Sequence, residues 1–214
     1  MDQDIEIINK ETRKEKIKNI LINNKIKIIA SLTSLILILF IFFFYQTYQS
    51  NQKKSLADNF NSSVIEFENG KKSKVLSSMK EIIYKKDKTY SPLALYFLID
   101  NNLISSNGEI NEYFDVIIND TNLDLEIKNL VIYKKGLFNS NFASESDLLN
   151  MLKPVTNSES IWKGHALYLL GEYFYSKDEL NKSKEFFEQI VVLENVNSNI
   201  RIEAQKRIQR DFSE

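Results

Sequence analysis

The stretch "GHALYLLGEYFYSKDELNKSKEFFEQIV", residues 164–191, decides the fold. Its apolar residues recur at steps of three and four, break at "SKDE", and resume with the same rhythm. Two amphipathic helices joined by a tight turn give that pattern, and no period-two alternation competes with it. Gly171 sits inside the first helix, where it costs about 1 kcal/mol relative to alanine. A glycine held there at that cost marks a place where a second helix comes too close for a side chain.

Counting from Gly164 as position one, Leu167 falls at four, Leu170 at seven, Gly171 at eight and Phe174 at eleven. Ser183 follows at twenty, Phe187 at twenty-four and Ile190 at twenty-seven. The tetratricopeptide pattern asks for Leu-Gly at seven and eight, aromatics at eleven and twenty-four, and a small residue at twenty. Position thirty-two is Asn195 where that pattern has proline, and Trp162 lies just before the unit instead of at position four. Small residues at eight and twenty let antiparallel helices approach, while the bulky ones fill the layer to the next hairpin.

Working outward, turn-forming clusters separate helical segments near 52–69, 72–86, 92–105, 109–119, 123–138, 145–153, 161–175, 179–193 and 199–211. They group as four hairpins and a closing single helix, with starts about 30–40 residues apart, the range of a tetratricopeptide array. Ser91 is a candidate cap and Pro92 suits a first helical turn. In "INEYFDVII", Phe114 and Ile117 match Phe187 and Ile190, with Leu98 standing where the glycine belongs. The fold expected is all-α: one transmembrane helix followed by an α-solenoid of tetratricopeptide-like hairpins.

Residues 28–45, "IIASLTSLILILFIFFFY", carry no charge, and with their flanks they reach the roughly twenty residues a ~30 Å hydrocarbon core needs. Tyr45 and Tyr48 stand where an interfacial aromatic belt would lie. The run is longer than a signal-peptide core, and "QTYQSNQKKS" offers no small-x-small cleavage site, so the segment reads as an uncleaved anchor. Before it lie Arg13, Lys14, Lys16, Lys18, Lys25 and Lys27 against Glu15; after it only Lys53 and Lys54 are near. The positive-inside rule therefore places 1–24 in the cytoplasm as a basic leader, 25–47 across the bacterial inner membrane, and 48–214 in the periplasm. The stretch from residue 4 to 22 has the pattern of an interfacial helix, and its basic residues read mainly as topology determinants.

The chain has no cysteine and a single histidine, His165, which leaves no disulfide, thiolate site or multi-histidine metal centre. Beyond the anchor 21 basic residues face 24 acidic ones, a balance that gives no case for nucleic acid. No catalytic residue, cofactor site or metal site is expected. His165 and Glu172 share a helical face, yet nothing beside them supplies a nucleophile or an oxyanion site. In the repeat scheme positions two, five, nine and twelve line the groove. They are His165, Tyr168, Glu172 and Tyr175, and they form the expected partner-binding stripe unless the tyrosines pack on a neighbouring helix. Trp162 reads as a packing residue at the junction with hairpin three.

The leader "INKETRKEKIKNILINNKIKIIASL", the anchor, and the terminal "WKGHALYLLGEYFYSKDELNKSKEFFEQIV" with its closing "IRIEAQKRIQ" resemble, in that order, the YfgM-like family. That family comprises ancillary subunits of the bacterial SecYEG translocon, and the likeness is to its alphaproteobacterial branch. The resemblance implies a non-enzymatic periplasm-facing interaction protein. Its implied partners are the translocon and a membrane-anchored periplasmic chaperone, in the handling of secreted proteins. A structural scaffold with one permanent envelope partner is the alternative.

Overall fold

The structure is a computed structural model that describes residues 15–16, 18 and 21–212. Arg13, Lys14 and most of the expected amino-terminal helix lie outside the described residues. Among those described, Lys16, Lys18, Lys25 and Lys27 are exposed. The chain divides into two units, Met1–Ser55 and Leu56–Glu214.

The first unit is dominated by helix α1, Lys25–Glu68, which contains a window long and apolar enough to cross a membrane. Every described side chain from 29 to 50 is exposed, so this apolar surface finds no cover among the described residues. The Thr33 hydroxyl donates back to the Ile29 carbonyl at 2.9 Å, which hides its polarity inside the helix. The sequence predicts a fresh helix near 52; instead α1 runs unbroken to Glu68. No glycine or proline stands between 46 and 69, and Gln49 and Gln52 donate to the Tyr45 and Tyr48 hydroxyls one turn back.

The second unit is all helix among its described residues. Residues 56–68 of α1 are followed by α2 (Lys72–Tyr84), α3 (Tyr90–Asp100), α4 (Asn107–Asp120), α5 (Leu125–Asn139), α6 (Glu145–Thr156), α7 (Lys163–Ser176), α8 (Leu180–Val192) and α9 (Ser198–Asp211). From α2 onward each helix lies against the next, and α5 also packs on α7 and α7 on α9. The result is four antiparallel hairpins and a closing helix.

One frame aligns all four. Ser63, Leu98, Gly136 and Gly171 are all buried and follow one another at 35, 38 and 35 residues. Sixteen residues after each comes the partner layer, Met79, Phe114, Leu152 and Phe187, and nineteen after each comes Ile82, Ile117, Val155 or Ile190, all buried. The second helix of every hairpin begins nine residues after this register position, at Lys72, Asn107, Glu145 and Leu180. Polar bridges keep the same period, at 34–37 residues: Lys86 to Asp120, Lys88 to Asp124, Glu126 to Ser160, Glu145 to Lys182 and Glu172 to Arg207.

The turns explain the boundaries. Gly70, Asn102 and Asp178 adopt left-handed conformations with φ of 79°, 52° and 62°. At each the following amide reaches five residues back, Lys71 to Glu66, Leu103 to Leu98 and Glu179 to Phe174, which closes the helix. Asn102 stops α3 short of the expected 105. Ser91 does not cap α3. Asp87 does, accepting from the Thr89 and Tyr90 amides, while the buried Ser91 hydroxyl donates to the Ile82 carbonyl of α2 at 2.9 Å. Helix α6 runs on through Pro154 to Thr156, past the expected end at 153, and so carries the fully buried Val155 into the core.

Candidate interaction groove

Within the fourth hairpin the spacing places small residues at the closest approach. The Ser183 hydroxyl donates to the Gly171 carbonyl at 2.8 Å, and a methyl on Gly171 would lie 2.7 Å from Phe187 Cε1. Leu167, Leu170, Phe174 and Ile190 complete the buried set. A second glycine, Gly136, does the same for hairpin three against Leu152.

The stripe His165, Tyr168, Glu172 and Tyr175 is engaged inside the molecule. Helix α9 supplies Arg207, whose Nε lies 2.7 Å from a Glu172 carboxylate oxygen and whose guanidinium stands 4.3 Å from the Tyr175 ring centre. Asp211 holds Arg207 from the other side, and Arg210 and Arg207 together keep the Asp211 carboxyl below its usual range. Tyr168 packs on Phe187 with ring centres 5.3 Å apart; burial, then the nearby Glu172 charge, pushes its hydroxyl pKa up. His165 sits between Trp162 and Tyr133, and its Nδ1 is buried without a partner. Trp162 stacks on Tyr133 of hairpin three. In hairpin four, therefore, the stripe is partly engaged: Arg207 of the closing helix meets Glu172 and Tyr175, Tyr168 and His165 pack on neighbouring rings, and Tyr175 stays exposed.

The equivalent stripe is open one joint earlier. The positions of His165 and Glu172 are held by Pro92 and Ile99 in hairpin two and by Leu130 and Leu137 in hairpin three. Helices α3 and α5 approach each other less extensively than α5/α7 and α7/α9 do. The space between them forms two adjoining hollows that share Tyr96. The first, about 370 Å³, is lined by Pro92, Leu93, Ile127 and Leu130, with Lys88 and Asp124 paired at its end. The second, about 260 Å³, is lined by Ile99, Leu137 and Phe138 over Phe114, with Lys134 and Asp100 on its rim.

The open joint coincides with the 38-residue step. Helices α3 and α7 begin eight residues before their register positions, whereas α5 begins eleven before Gly136. The extra three residues, Leu125, Glu126 and Ile127, add one turn at the start of α5. Ile127 becomes part of the groove wall, and Leu93, Ile127 and Leu137 remain 43%, 40% and 43% exposed.

Three polar groups of this groove are unspent among the described residues. The Tyr96 hydroxyl is buried without a hydrogen-bond partner, and burial raises its pKa. Lys134 forms no ion pair; its ammonium stands 5.6 Å from the Tyr96 ring centre. Asp100 has no cation, although it ends α3, where the helix dipole disfavours a carboxylate. The described residues hold no group of three or more His, Asp or Glu side chains placed to bind a metal ion. The arrangement suits non-covalent capture of a partly apolar chain. Sequence reading overlooked these residues because it followed the best-matched hairpin; the 35-residue step from Gly136 to Gly171 was the available signal. No protein-family model matches the chain, nor does any curated protein or solved structure.

Proposed function

We propose that this chain is a membrane-anchored, non-enzymatic protein-interaction module with hairpins of the tetratricopeptide type. Residues 25–47 anchor it in the bacterial inner membrane, with the leader in the cytoplasm and residues 48–214 in the periplasm. It assists secreted proteins beside the SecYEG translocon, together with a membrane-anchored periplasmic chaperone. The observation that carries the reading is the open, apolar α3/α5 groove in a helical array whose chain also holds an exposed apolar helix. Tethering to the bilayer raises the effective concentration of such a groove near partners in the same membrane.

Photo-crosslinkers placed in residues 28–45 in living cells should capture translocon subunits, and exchange of the anchor for an unrelated one should abolish that capture. Unchanged partners after exchange would sink the translocon assignment. Protease added to spheroplasts should digest the chain beyond residue 50, and its protection would overturn the topology.

A further inference from the structure

We propose that the α3/α5 groove binds an extended segment of a partner protein with a defined order of side chains. Two apolar residues stand three apart, an acidic residue lies between them, and a basic residue follows the second. The proposal rests on the interaction-module reading above and specifies its ligand.

The spacing comes from the two hollows. Their lining residues are centred about 7 Å apart along α3 and about 12 Å apart along α5, at 1.5 Å per residue. Three residues of polyproline-II chain, at about 3.1 Å each, cover roughly 9 Å and return the side chain to the same face. A β-strand returns it at two or four residues, about 7 or 14 Å, which matches the α3 spacing alone or exceeds both, whereas three polyproline-II residues fall between the two spacings.

The order of charges comes from the rim. Lys134 stands over Tyr96, the residue common to both hollows, so an acidic side chain belongs between the two apolar ones. Asp100 lies at the far end, beyond Ile99, and without a cation of its own it calls for a basic residue there. At the opposite end Lys88 and Asp124 neutralise each other and ask for nothing.

The backbone state comes from Tyr96. Its hydroxyl has no acceptor in the protein. An extended chain brings free carbonyls, whereas a helical occupant has already committed its own.

The test is fluorescence anisotropy with the full chain in detergent micelles and a fluorescein-labelled peptide, Gly-Ser-Leu-Glu-Pro-Leu-Lys-Ser-Gly. Its proline favours the extended state. Replacing both leucines by serine should abolish binding. Leu137→Asp, at an exposed position the fold tolerates, should weaken binding by roughly tenfold or more, and Lys134→Glu should reverse the preference between this peptide and one with Glu and Lys exchanged. Tyr175→Ala should change nothing. The proposal is overturned if Leu137→Asp and Lys134→Glu bind the peptide as the wild type does. It is also overturned if Tyr175→Ala loses binding while Leu137→Asp keeps it, or if a helical peptide with leucines seven apart binds and the extended one does not.

Co-purification of membrane proteins separates this failure from failure of the function itself. Partners retained by the Leu137→Asp chain overturn the groove and leave the interaction reading standing. A wild-type chain that brings down no membrane protein counts against the interaction reading, whatever the peptide does.

Discussion

Gly171→Ala and Gly108→Ala should move stability in opposite directions, although both put alanine for glycine in a helix. Alanine is favoured over glycine by about 1 kcal/mol at an interior helical position. At Gly171 that gain meets a wall: the new methyl lies 2.7, 2.8 and 3.1 Å from three ring atoms of Phe187. Phe187 is fully buried, with Tyr168 and Phe212 against its ring, so it cannot swing aside as the end of a long chain would. Overpacking of that kind costs about 1–3 kcal/mol, leaving a net loss of about 1 kcal/mol or a little more. Gly108, in the first turn of α4, meets only the Ser106 hydroxyl at 3.7 Å, and alanine there should gain a few tenths to about 1 kcal/mol. The assay is urea unfolding of the full chain in detergent micelles, read by Trp162, the sole tryptophan, which stacks on Tyr133 between hairpins three and four. Each 1 kcal/mol also corresponds to about 2–4 °C in Tm for a domain of this size. A Gly171→Ala chain as stable as wild type, or more so, would refute the close-approach argument.

Three further outcomes are expected. Arg207→Ala removes the clamp on Glu172, Tyr175 and Asp211 and should speed amide hydrogen exchange across α9 while leaving α2–α6 unchanged; uniform acceleration would mean α9 is not a separate unit. Asn111 and Asn139 exchange two amide hydrogen bonds, 2.9 and 2.8 Å. Asn139→Leu alone should cost about 1–3 kcal/mol in urea unfolding, and adding Asn111→Leu should recover part of it. The Lys80 ammonium and the Tyr113 hydroxyl hold the Glu109 carboxyl below its usual range, so its stabilising contribution is complete above that range and lost as pH falls through the lowered value. The stability difference between wild type and Glu109→Gln should therefore shrink below about pH 4, and a constant difference would refute the pairing.

Much of this architecture was legible in the sequence because helical periodicity and turn chemistry are local. Gly70 and the segment pattern gave the hairpins, and Phe114, Ile117 and Leu98 gave hairpin two its correct frame. What escaped was decided across joints. Gly136 went unread because Leu148, Leu152 and Asn139 stand where hairpin four has Ser183, Phe187 and Phe174. Burial of the serine and the leucine is equal, so chemistry changed while geometry did not. The contact of Arg207 with Glu172 and Tyr175 spans more than thirty residues of chain, and no local pattern encodes it. Likewise Asp87, not Ser91, caps α3, because Ser91 faces a carbonyl of the preceding helix.

The added turn at Leu125–Ile127 has a mechanical consequence. In an array whose units touch only their neighbours, three surplus residues act as a wedge at a single joint. The second helices keep their pitch on either side of it, like the spine of a book opened at one page. Deleting three residues there would restore the 35-residue step and shut that page, leaving the other joints as they were. Chain length at one helix start and the buried contacts within each hairpin are thus separate variables of this array, and the first can change without disturbing the second.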